Sequence, residues 1–124
     1  MSATILVVDD NSTNLKLVSD VLGFEGYRML QAGDAESAQE IIGKTPPDLI
    51  LMDIALPGMD GLTLTRQLKA AVATSRIVIV ALTAFAMKGD DAKAREAGCD
   101  GYITKPIDTR TLPDAVAGYL RSRP

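Results

Sequence analysis

The chain has 124 residues, 47% hydrophobic and 23% charged, enough apolar material for one globular domain whose core needs no disulfide or metal staple. A net charge of −3 with no histidine argues against nucleic acid as a direct partner, and any metal site must be built from oxygen, which selects Mg²⁺ or Ca²⁺ over zinc. The lone Cys99 excludes a disulfide framework and fits a reducing cytoplasm, with a small buried or half-buried filler as its role. No run approaches the roughly 20 apolar residues that span a bilayer. The opening Met1-Ser2-Ala3-Thr4 lacks the basic start and apolar stretch of a signal peptide, so a cytoplasmic location without membrane contact is expected.

Thr4-Ile5-Leu6-Val7-Val8 is apolar and β-branched and stops at Asp9-Asp10-Asn11, which predicts a buried strand with carboxylates at its exit. Asn11 or Ser12 caps a helix whose Leu15, Val18 and Leu22 recur at helical spacing, and Gly23 and Gly26 close it. Tyr27-Arg28-Met29-Leu30-Gln31 reads as a shorter second strand. Asp34 opens a helix with Ala35, Ala38, Ile41 and Ile42 on one side, Gly43 ends it, and Pro46-Pro47 keeps the chain extended.

In Asp48-Leu49-Ile50-Leu51-Met52-Asp53, four apolar residues run unbroken between two carboxylates before Pro57-Gly58 turns the chain. Such a run is a strand buried on both faces, and Asp53 stands at its carboxyl end. Alone, an aspartate there can simply cap the next loop. Asp60 N-caps a helix through about Ala71 with Leu64 and Leu68 inward. Ile77 to Leu82 is a fourth strand with Thr83 at its end. Met87 to Ala97 is an alanine-rich helix weakened by Gly89 and stopped by Gly98. Gly101 to Thr104 is a short fifth strand followed by Lys105-Pro106, and Asp108 or Thr109 opens a last helix through about Leu120 carrying Leu112, Val116 and Tyr119.

Strand–helix alternation of this kind makes an α/β domain with a parallel sheet, helices on both faces and right-handed crossovers. Strands one, three, four and five then deliver Asp9-Asp10, Asp53, Thr83 and Lys105 to one edge, the carboxyl edge where ligands bind in open α/β sheets. Three crowded carboxylates repel, and a hard divalent cation relieves them; Mg²⁺ keeps several waters, so two carboxylates and a backbone carbonyl suffice. A lysine and a hydroxyl opposite the metal complete a cradle for a phosphoryl group.

Val7-Val8-Asp9-Asp10-Asn11, Leu51-Met52-Asp53-Ile54 with Leu56-Pro57-Gly58-Met59-Asp60-Gly61, Leu82-Thr83-Ala84 and Tyr102-Ile103-Thr104-Lys105-Pro106 together resemble the receiver domain of bacterial two-component response regulators, of the single-domain type met in chemotaxis and cell-cycle control. The resemblance covers essentially the whole chain, with every motif in order, so residues 1–124 are expected to form one receiver domain. It implies a flavodoxin-like three-layer sandwich: a five-stranded parallel sheet of order 2-1-3-4-5 with five helices. It implies that Asp53 is the phosphoacceptor, that Asp10 and Asp53 bind Mg²⁺ directly with Asp9 acting largely through water, and that the Ala55 carbonyl is another ligand. Thr83 would bond a phosphoryl oxygen. Lys105 would pair with the phosphoryl group or, before it arrives, with Asp53, and Lys105-Pro106 would be a cis peptide.

The same resemblance makes Tyr102 a switch aromatic that turns inward when Thr83 moves toward the phosphoryl group; burial habits alone make it a half-buried strand residue with its hydroxyl at the surface. The resemblance also implies that the positions two after Asp53 and Thr83 tune hydrolysis of the aspartyl phosphate; here they are Ala55 and Phe85, both apolar and without a general base, so a phosphate that persists for minutes or longer is expected. The donor would be a phosphohistidine on a histidine kinase or a histidine phosphotransfer protein, necessarily another chain because this one has no histidine. A downstream protein would dock on the face of the fourth helix, fifth strand and last helix. The chain would thus be a signalling phosphoacceptor rather than an enzyme, assisting only its own Mg²⁺-dependent phosphorylation and dephosphorylation. Alternatives are a receiver excised from a hybrid kinase or multidomain regulator, a degenerate scaffold, and a haloacid-dehalogenase-like phosphatase. The last is disfavoured because Asn11 breaks the Asp-x-Asp pattern after the first strand.

Overall fold

The central strand β3, Leu49–Asp53, is buried along its whole length, as an unbroken apolar run requires when helices cover both faces of a sheet. The computed structural model describes residues 3–54, 56, 58–83 and 90–122. Ahead of β3 come β1 (Thr4–Val8), α1 (Ser12–Phe24), β2 (Arg28–Ala32) and α2 (Ala35–Lys44). After it come α3 (Gly61–Ala70), β4 (Val78–Thr83), α4 (Asp90–Ala97), β5 (Gly101–Thr104) and α5 (Leu112–Arg121). All strands are parallel, in the order β2-β1-β3-β4-β5. The expected α/β sandwich and its strand order are therefore what the chain adopts.

Alternate residues of the strands face two cores. On one side Leu6, Val8, Ile50, Met52 and Ile79 meet Ala38 and Ile42 of α2 and Leu64 and Leu68 of α3. On the other, Ile5, Val7, Leu49, Leu51 and Val80 meet Val18 and Leu22 of α1 and Leu112 and Val116 of α5. Burying a leucine or isoleucine side chain in either layer contributes roughly 1.5–3 kcal/mol. Among the described residues no helix is long and apolar enough to cross a membrane.

The helix starts follow the capping residues. Asn11 rather than Ser12 caps α1, its Oδ1 accepting from the Thr13 and Asn14 amides; Asp34 caps α2 through the Ser37 amide and Asp60 caps α3 through the Thr63 amide. The last helix departs from expectation. Neither Asp108 nor Thr109 opens it; the Asp108 carboxylate turns onto the Arg110 amide, its carbonyl accepts from Thr111 and Leu112, and α5 begins at Leu112 with Pro113 in its first turn. Smaller shifts occur at β2, which begins at Arg28 rather than Tyr27, at β4, which begins at Val78 and includes Thr83, and at α2, which runs through Gly43 to Lys44. Gly98 ends α4 as expected, with φ +103°, its amide on the Arg95 carbonyl. Met87 and Gly89, assigned to the fourth helix from sequence, lie outside the described residues.

Candidate functional site

Each site residue stands where a strand runs out. Asp9 follows β1, with its amide on the Ala32 carbonyl at 3.1 Å, and is wholly buried. Its Oδ1 accepts from the Asn11 amide at 2.9 Å, so the turn that starts α1 also orients the carboxylate. Its Oδ2 accepts from Lys105 Nζ at 2.9 Å and from Asn14 Nδ2 at 3.3 Å. Asp53 closes β3 and is 4% exposed, and its Oδ2 lies 3.3 Å from the same Lys105 nitrogen. Asp10, beside Asp9, is exposed.

Lys105 arrives from β5. Its amide donates to the Thr83 carbonyl at 2.7 Å, and the bond to Pro106 is cis. Thr83 ends β4, buried, one residue beyond Leu82, the register partner of Asp53. Asp9, Asp10, Asp53, Thr83 and Lys105 thus converge on one edge, as the strand ends in the sequence imply.

Among the described residues the charges are unbalanced: one carboxylate oxygen from each of Asp9, Asp10 and Asp53 lies within 4.8 Å of the others, against the Lys105 ammonium. Burial works to raise the Asp9 carboxyl, but the hydrogen bond and charge of Lys105 and the Asn11 and Asn14 donors outweigh it and hold Asp9 below the ordinary aspartate value. Burial likewise works to lower Lys105, yet its bond to Asp9 and the charges of Asp53 and Asp9 push it above the usual lysine value. Both groups are therefore ionised at neutral pH. An all-oxygen donor set with excess negative charge fits a hard divalent cation and no soft metal.

Two features were not read from sequence. Lys105 lies closer to Asp9 than to the expected partner Asp53. Asn14 reaches the site from the first turn of α1; its position three residues after the Asn11 cap, over the Asp9 turn, is the signal available for it. Tyr102, three residues before Lys105, stands apart from the cluster. It is 41% exposed and lines, with Arg95, Cys99 and Tyr119, a cleft of about 220 Å³ between α4, β5 and α5. Cys99 is half-buried, its thiol raised by burial, as a filler residue should be. Ala55, Pro57, Ala84 and Phe85 lie outside the described residues.

Residues 5–117 match the family model described as response regulator receiver domain. The polar-differentiation response regulator DivK of Brucella ovis is 38% identical over 120 residues, 97% of this chain and 98% of that protein. The receiver domain of a signal transduction histidine kinase from Syntrophus aciditrophicus is similar at a TM-score of 0.88 and 31% identity, over 97% of this chain and 91% of that one. Chemotaxis response regulator CheY4 of Vibrio cholerae matches at a TM-score of 0.91 over 96% of this chain and 99% of that one; at 24% identity it speaks for the fold. The chain belongs to the response regulator receiver domains, the phosphorylation-activated switches of two-component signalling.

Proposed function

We propose that Asp53 is the phosphoacceptor, within a single receiver domain spanning residues 1–124. The observation that carries this is the shared ammonium: Lys105 Nζ lies between the buried Asp9 and Asp53 carboxylates, 2.9 and 3.3 Å away, at the carboxyl edge of the sheet. An oxygen of Asp53 attacks phosphorus, the bond from phosphorus to the donor's imidazole nitrogen breaks, and an acyl phosphate forms. Lys105 balances the charge on the transferred group, Thr83 donates its hydroxyl to one phosphoryl oxygen, and Asp9 retains the Asn11 amide on its other oxygen when Lys105 turns away. Asp9, Asp10 and Asp53 are the residues that would hold Mg²⁺, with Ala55 as the proposed carbonyl ligand; bound there, the ion supplies positive charge opposite the developing phosphoryl charge.

The donor is a histidine kinase or a histidine phosphotransfer protein, since no histidine is available in this chain. The downstream protein docks on the face of α4, β5 and α5, where Tyr102 is exposed, and no direct contact with nucleic acid is assigned. A net charge of −3 supports that assignment. A cytoplasmic location follows from the kinase partnership. Ala55 and Phe85 are the residues assigned to slow hydrolysis of the acyl phosphate. The dehalogenase-like alternative is not favoured, because Asp9-Asp10-Asn11 has no second carboxylate in its third position.

The test is intact mass after incubation with acetyl phosphate, with and without Mg²⁺, for the wild type and Asp53→Asn. One Mg²⁺-dependent phosphoryl adduct absent from the variant is expected. An adduct that survives in the variant means that another carboxylate is the acceptor, and none on a folded wild-type chain ends the proposal.

A further inference from the structure

We infer that Gly61 is a positioning residue for phosphoryl acceptance, setting the Asp53 carboxylate in place through direct backbone contact; the inference rests on Asp53 being the acceptor. Gly61 is the first residue of α3 and is buried against the peptide that leaves β3. A Cβ built on it would overlap the Asp53 carbonyl oxygen and lie 2.9 Å from the Asp53 carbonyl carbon and 3.0 Å from Ile54 Cα. All three atoms belong to backbone, so no flexible side chain can give way. At Gly98, by contrast, the obstructing atoms are the aliphatic stem of Lys69, and at Gly43 nothing lies within 4 Å.

Both sides of this contact are held. The first turn of α3 is fixed by the Asp60 cap on the Thr63 amide at 2.7 Å, and by the wholly buried Thr65, whose hydroxyl donates to the Gly61 carbonyl at 2.8 Å. Leu64 and Leu68 anchor the helix in the core. The opposing peptide is tied to β4 by the Ile54 amide on the Leu82 carbonyl at 3.2 Å. The turn is held by a cap, a buried hydroxyl bond and two core leucines, so an added methyl bears on the peptide that leaves the strand. Carbon atoms in ordinary contact stand about 3.5–4.0 Å apart, so an added methyl moves this peptide by at least about half an ångström. Asp53 moves with it. Asp9 and Lys105, carried by β1 and β5, do not, and the 3.3 Å contact between Lys105 and Asp53 has little slack.

The experiment compares wild type, Asp53→Asn, Gly61→Ala, Thr65→Val and, as a control, Gly43→Ala. Three quantities are followed: the folded fraction by circular dichroism, the rate of phosphoryl adduct formation from acetyl phosphate, and the Mg²⁺ concentration for half-maximal rate. Gly61→Ala, fully folded at the assay temperature, is expected to lose about 10- to 100-fold in rate at saturating Mg²⁺, and Gly43→Ala nothing. Gly61→Ala that merely melts earlier while its folded population reacts at the wild-type rate overturns the inference. If Gly61→Ala does not fold, Thr65→Val decides: a slower rate in a folded chain supports positioning, and an unchanged rate overturns it. An adduct that persists in Asp53→Asn, or none in the wild type, overturns the assignment of Asp53 and this inference with it. That result is distinct from an acceptor that works without help from Gly61.

Discussion

Neutralising Asp53 without changing its shape should make the metal-free chain more stable, although Asp53 is the residue on which the proposed function depends. Oxygens of Asp9, Asp10 and Asp53 lie within 4.8 Å of one another, and at that separation two like charges repel by about 3.5 kcal/mol for an effective dielectric near 20. Among the described residues Asp53 faces two such charges and the Lys105 ammonium at 3.3 Å, the latter worth about 5 kcal/mol on the same scale. Between these four groups the balance stands at about 2 kcal/mol against the ionised side chain, and solvent around the exposed Asp10 trims it to about 1–2 kcal/mol. For a chain of 124 residues this corresponds to a melting temperature about 4–8 °C higher for Asp53→Asn. The assay is thermal unfolding followed by circular dichroism, in EDTA and again in saturating Mg²⁺. Binding of the cation favours the three-carboxylate wild type, so the gap seen in EDTA should close or reverse. A variant that melts at or below wild type in EDTA, or a gap indifferent to Mg²⁺, would refute the electrostatic account of the site.

Lys105→Met leaves Asp9 wholly buried and without its cation. Denaturant unfolding should find it about 1–3 kcal/mol less stable, below the range for a fully buried pair because the lysine is partly exposed; Mg²⁺ titration should find tighter binding, because a competing positive charge is gone. The pH dependence has two limbs. Asp9 has a lowered folded pKa, so its contribution is present above the unfolded aspartate value of about 3.9 and is lost as pH falls through the folded value. Lys105 has a raised one, so its contribution is present below about 10.4 and is lost as pH rises through the folded value. Unfolding midpoints across pH should therefore show a plateau between these limits, with a shallower acid limb in Asp9→Asn. Gly101→Ala would drive a methyl into the Tyr119 ring, which lies over that glycine. It should cost about 1–3 kcal/mol by overpacking while leaving the acetyl phosphate rate unchanged, since the contact lies at the far end of β5 from Lys105.

How much of this was legible in the sequence depends on range. β1, β3 and β4 announced themselves as apolar runs leading to a polar residue, and the Asp34 and Asp60 caps followed from side chains that bond amides three residues on. The same rule misled at Asp108, whose carboxylate found the Arg110 amide two residues on and built a turn before the helix. Strand order was not contained in the alternation, which many orders share; only the family resemblance supplied it. The convergence of Asp9, Asp10, Asp53, Thr83 and Lys105 followed from parallel strands having a common edge. Contacts whose geometry is set between elements were beyond reach. That Lys105 lies nearer Asp9 than Asp53, and that the first turn of α3 seats on the Asp53 peptide, depend on helix and strand placements that no local pattern encodes.

The distribution of buried polarity ties the fold to its task. Among the described residues the buried polar or charged side chains are Asp9, Asp53, Thr65 and Thr83. Three of them end strands at one edge, and the fourth holds the turn that rests on Asp53. A core built for stability alone would have no reason to gather its polar burial there, because each such group needs a partner and two of them repel. The sheet interior is apolar along β1, β3 and β4 up to their last residues, so the stability surrendered at the edge is offset within a few ångströms of it. Local rules broken in one place and kept everywhere else are what a functional site imposes on a foldable sequence. In this chain the break falls where a cation would relieve it, and a rigid apolar sheet is what keeps the three carboxylates from relaxing apart beforehand.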